Sequence, residues 1–147
     1  MAVNTGRLRS ERGAELIEFA LVLPILLLLI AGVVDFGMMF QAYEVVTNAA
    51  REGARVGVLP NYQAVDVQTR VTAYCNAAGL TGCTVNPPAQ NVTVTTTAGS
   101  FTAKSVRVSY TYTFAVLGMA APLFGGNFGN IQLNAVSVMR AETQAAP

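Results

Sequence analysis

The hydrophobic pattern divides the chain sharply. A polar start ending in "RSERGAE" gives way to an apolar run from Leu16 to Val34, nineteen residues in which Glu18 is the only charge. About 20 apolar residues suffice for a helix to cross a hydrocarbon core, so a span over about 16–34 is predicted. A core helix buried on every side is the alternative, but 147 residues leave little material to wrap one. Good helix formers continue through "DFGMMFQAYEVVTNAAREGARVGV", and no proline follows until Pro60. A helix over 14–58 would be about 67 Å long, more than twice a bilayer, so its second half must stand outside the membrane. Pro24 lacks an N–H and crowds the carbonyl of Ala20, which predicts a kink within the span.

Past Pro60 the pattern changes. Val67, Val71, Tyr74 and Ala78 fall on one face of a short second helix, for which Gly79 is a stop. "VNPPAQ" reads as an extended linker. Residues 91–98, "NVTVTTTA", have strand propensity, with a turn expected at Gly99 and Ser100. "SVRVSYTYTF" alternates strictly: Val106, Val108, Tyr110, Tyr112 and Phe114 point one way, Arg107, Ser109, Thr111 and Thr113 the other. A glycine-rich apolar loop and a last strand, "IQLNAVSVMRAE", complete the reading. In the loop, Leu117, Met119, Leu123, Phe124 and Phe128 either cap the sheet or form a partner-binding or membrane-proximal surface. The fold class expected is α+β: a long N-terminal helix, then a head over 59–147 with a second helix and a small antiparallel sheet packed on the outer half of the long helix.

Small residues recur at helical spacing on that outer half: Ala49, Gly53 and Gly57, with Ala50 and Ala54 beside them. Such spacing admits close approach of another element. Either a neighbouring helix or the chain's own sheet satisfies it.

Composition narrows the function classes. The chain is 52% hydrophobic and 12% charged, with a net charge of +1. Its basic residues form no patch, so no nucleic acid is expected as a partner. There are no histidines and two cysteines, which removes the usual zinc and general-base constellations. No catalytic residue, cofactor or metal is expected, because no serine or cysteine here has a histidine to activate it. Arg7, Arg9 and Arg12 precede the span, whereas Asp35 and Glu44 follow it and no basic residue appears until Arg51. The positive-inside bias then places the N-terminus in the cytoplasm and the head outside. In that compartment Cys75 and Cys83 can pair around "NAAGLTG"; a pair of free buried cysteines is the other reading.

The entrance to the span carries the most specific signal. An ordinary secretory signal has a shorter apolar region, although Ala31 and Gly32 are small enough for a cleavage site beyond it. On the near side, a basic leader over 1–13 ends in Gly13, Ala14 follows, and Glu18-Phe19 stand where the apolar helix begins. This is the layout of a type IV prepilin. More specifically, "GAELIEFALVLP", "DFG" and "AAREGAR" resemble the TadE-like family of the tight-adherence (Tad/Flp) pilus systems, with "NAVSVMRAE" a weaker match. Glu15 is an additional acid within the processing motif.

The resemblance implies a membrane-inserted pseudopilin or minor pilin of the bacterial inner membrane, cut between Gly13 and Ala14 by a prepilin peptidase. It also implies assembly with other pilins through the N-terminal helix, alongside the inner-membrane pilus machinery and the lipid bilayer. Glu18 is then the residue that meets the new α-amino group of Ala14 on a neighbour and sets register. A glutamate at headgroup level that merely favours the first helical turn is the plainer reading, and the one that suits Glu15. The competing function is a single-span anchored adhesin or binding domain that is never processed.

Overall fold

The computed structural model describes residues 5–97, 99–120, 122 and 129–141, with side chains from Gly13 onward except that of Ala120. In chain order the elements are α1 (Thr5–Gly57), α2 (Ala64–Ala77), β1 (Thr84–Val85), β2 (Gln90–Thr96), β3 (Gly99–Thr113), α3 (Val116–Ala120) and β4 (Asn130–Arg140). The class is α+β, as the pattern implies. The chain divides into two compact units: Met1–Gly37 with Phe114–Phe128, and Met38–Thr113 with Gly129–Pro147.

In the first unit, α1 begins at Thr5, upstream of the Ala14 start suggested by the leader motif, and Pro24 lies inside it. The segment Gly13–Gly57 is long and apolar enough to cross a membrane. Leu16, Phe19, Leu27 and Val33 all stand exposed along it. Among the described residues no hydrophobic interior claims these side chains, which is unlike the core helix of a soluble protein.

The glycine-rich stretch read as a loop contains a helix, α3. Of its apolar residues Leu117 is buried and Met119 exposed, while Leu123, Phe124 and Phe128 lie outside the described residues. The helix forms because Asp35 accepts hydrogen bonds from its first backbone N–H groups. Val116 N lies 3.1 and 3.0 Å from the two carboxyl oxygens, and Leu117 N lies 2.6 Å from Oδ2. These donors have no partner within their own turn, so a carboxyl from outside the helix supplies one.

The second unit is a helix pair packed on a sheet. Val46, Ala49, Ala50 and Ala54 of α1 are buried with Val67, Val71 and Cys75 of α2, Val106 and Val108 of β3, and Ala135 of β4. The apolar stripe of α2 thus runs through Cys75 rather than Ala78, which lies past the helix end and is exposed. The helix closes there in a Schellman arrangement: Leu80 N–H donates to the carbonyl of Cys75 and Gly79 N–H to that of Asn76. Gly79, at φ 79°, supplies the left-handed turn.

Every strand of the sheet pairs antiparallel with β3. Strand β1 pairs through Val85↔Val108, β2 from Gln90↔Ser105 to Thr96↔Gly99, and β4 from Ala103↔Arg140 to Thr113↔Asn130. The turn expected at Gly99 and Ser100 is displaced, because both residues are already in β3. Thr96 opposite Gly99 leaves a two-residue connection, the commonest hairpin length. The alternation in β3 holds at Val106, Val108 and Tyr112, which are buried, and at Arg107, Thr111 and Thr113, which are exposed; Ser109 and Tyr110 are both half-buried, and Phe114 lies beyond the strand.

Candidate functional site

Gly13 and Ala14 lie within α1, and a side chain added at Gly13 would meet nothing beyond its own helix. Neither close packing nor a positive φ demands glycine there, and glycine inside a helix costs about 1 kcal/mol relative to alanine. The fold gives no reason for it. One helical turn further on, Glu18 shares a face with Ala14, four residues earlier. Ala14, Glu15, Glu18 and Phe19 are all exposed. Among the described residues no hydrogen bond or ion pair reaches Glu15 or Glu18. An exposed carboxyl beside an apolar, outward-facing helix can accept a cation brought by another molecule.

The small-residue stripe is used within the second unit. Ala49 and Ala54 are fully buried, and a Cβ on Gly53 would come within 2.7 Å of Val71 Cγ2 and 3.2 Å of Val106 Cγ1. At Gly57 the nearest atoms, Val106 Cγ2 and Val67 Cγ2, are 3.8 Å away. Between the two uses of these spacings, the chain's own α2 and β3 fill the stripe, leaving no groove along it for another subunit's helix. The side of α1 left open carries Phe40, Tyr43, Glu44 and Arg51.

Three residues that local patterns do not single out hold these surfaces. Asp35, completely buried, fixes α3. Gln68 accepts from Val85 N–H at 2.8 Å and donates to the Cys83 carbonyl at 3.3 Å, binding α2 to the loop that the Cys75–Cys83 disulfide closes. Arg70 of α2 reaches Glu52 of α1 through Nη2 at 2.7 Å and Nε at 3.1 Å, and Arg55 joins at 3.0 Å. Position offered one usable signal. Asp35 is the first acid after the span, where burial needs donors, but nothing local names Val116 as one.

The hydrogen bond from Arg70, then that from Arg55, holds the Glu52 carboxyl below its ordinary range. A depressed acid contributes stability above the unfolded value, and this is lost as pH falls through the folded one. Glu52→Gln is therefore expected to cost about 0.2–1 kcal/mol at neutral pH, given the solvent exposure of the pair. The loss should shrink towards zero as pH drops below the ordinary glutamate value of about 4.3. Unfolding followed at several pH values in both proteins checks this; a difference that stays constant with pH contradicts it.

Residues 13–55 match the family model described as TadE-like protein. The match contains "GAELIEFALVLP", "DFG" and "AAREGAR", the strings that carried the resemblance. No curated protein and no solved structure matches the chain. The long apolar helix and the family match together fit a membrane-anchored protein in a pilus-related context.

Proposed function

We propose that this chain, TadE-like over residues 13–55, is a pseudopilin or minor pilin that acts in assembly of a Tad/Flp-type pilus serving adhesion or secretion. It is anchored in the bacterial inner membrane with its N-terminus cytoplasmic and its head periplasmic or extracellular. A prepilin peptidase removes the leader after Gly13. The mature helix then joins other pilins or pseudopilins and the inner-membrane assembly machinery. The protein carries out no reaction of its own; its work is association.

The observation that carries this reading is the coincidence at Gly13. The family match starts at a glycine that packing does not require, directly ahead of an exposed Ala14 and a Glu18-Phe19 pair. The open face with Phe40 and Tyr43 supports lateral association, since the small-residue face is already occupied.

Processing is read directly by intact mass and N-terminal sequencing of protein from its native host. The expected N-terminus is Ala14, and the mature chain has six basic and seven acidic side chains after loss of Arg7, Arg9, Glu11 and Arg12. Gly13→Val should accumulate a slower-migrating form that keeps the leader. A native chain that still carries Arg7 to Arg12 would contradict the proposal and favour the unprocessed, membrane-anchored adhesin.

A further inference from the structure

Asp35 does more than satisfy two backbone donors. It is the first residue after the apolar run ending at Val34, and it is completely buried although flanked by exposed Val34 and Phe36. The segment it holds is therefore fixed to α1 at the point where the span ends. Phe114, two residues before α3, packs edge-on against Phe36 with ring centroids 5.9 Å apart, a second tie at the same level. What is held there is apolar. Met119 of α3 is 82% exposed and Val116 39% exposed. The sequence from Phe114 through Asn130 contains no charged residue.

We propose that α3 lies in the membrane interface, with Met119 and Val116 inserted among lipid acyl chains beside the end of the span. This rests on the reading of α1 as membrane-spanning. The occupant is lipid because the ties at Asp35 and Phe36 hold α3 beside the end of the span, where the exposed Val33, Val34 and Phe36 of α1 already require it. An uncharged short helix pinned at that depth has its apolar side within reach of the acyl boundary, where interfacial helices sit about 5–10 Å deep. The buried carboxyl is thus a positioning residue. It satisfies the N–H groups of a helix start that neither lipid nor water need then reach.

The test uses the full chain in lipid nanodiscs. Cys75 and Cys83 are joined, so Met119→Cys presents one free thiol for a polarity-sensitive fluorophore. Lipids carrying a nitroxide high on the acyl chain should quench this label severalfold more than a water-soluble nickel chelate does. Quenching mainly from water overturns the proposal. A label on Leu27→Cys reads the span independently. Lipid quenching at 27 but not at 119 discards the placement of α3 and leaves the anchor intact, whereas aqueous quenching at 27 discards both. Adding Asp35→Ala to the Met119→Cys protein should shift the label severalfold towards the aqueous quencher. Unchanged quenching would remove Asp35 from the account.

Discussion

Glu18→Ala is expected to leave the protein in the membrane and to abolish its association with partner subunits. A carboxylate at membrane depth opposes insertion by about 2.5–3.5 kcal/mol at the span centre and less near an end, so its removal cannot weaken the anchor. Assembly is another matter. If Glu18 receives the Ala14 amine of a neighbour, its loss leaves that cation unpaired in a poorly solvated interface. Breaking such a pair costs about 3–5 kcal/mol, or roughly a hundred- to several-thousandfold in association. Glu18→Gln separates charge from shape, because it keeps the size and hydrogen-bonding capacity but not the anion, and it should fail nearly as badly. The measurement is co-purification of partner pilins from solubilised membranes, with leader removal monitored in the same samples. Co-purification at the parent level by both variants, with normal processing, ends the register mechanism. The exposure of Glu18 within one chain is what makes an external partner necessary to the idea.

The second large effect is on the fold. Gly53→Val should destabilise the second unit by about 3 kcal/mol, the upper part of the range for overpacked cores. Even the first carbon of a new side chain falls 2.7 Å from Val71 Cγ2, and Val71 is fully buried with nowhere to go. Helix α2 must move off α1, or β3 must give at Val106. For a domain of this size that loss corresponds to a fall in Tm on the order of 10–20 °C. Gly57→Ala is the matched control on the same helix face. Its nearest neighbours are at ordinary contact distance, so the gain in helix propensity of up to about 1 kcal/mol is not offset. Thermal melts in detergent, followed by circular dichroism, compare the two. Equal melting of Gly53→Val and the parent would mean that α1 and α2 are not packed as described.

The parts of this protein legible in its sequence are those governed by local periodicity. The nineteen-residue apolar run, the alternation through Val106, Val108 and Tyr112, and the stop at Gly79 each follow from spacing alone, and each is present. What escaped is set by contacts distant in sequence. Helix α3 is invisible locally because its residues include glycine and its start depends on a carboxyl 81 positions away. Strand β1 is two residues long and abuts "NPP", so only its pairing with β3 reveals it. The small-residue stripe shows a limit of another kind. Spacing announced close approach at Ala49, Gly53 and Gly57, but the approaching element was decided by where α2 and β3 fold back. For the proposed assembly site, sequence alone names Gly13, Ala14, Glu18 and Phe19, the last three of which are exposed; Arg70 and Gln68, which join elements, needed three-dimensional placement.

Strand β3 is the seam to which β1, β2 and β4 are all sewn. Among the described residues none of those three pairs with another, so no smaller sheet survives its loss. A slip of one residue in β3 would turn Val106 and Val108 outward and strip the helices of their floor. The sheet is therefore expected to open as one cooperative unit rather than strand by strand. Opening of that kind leaves few partly unfolded states for proteases to find.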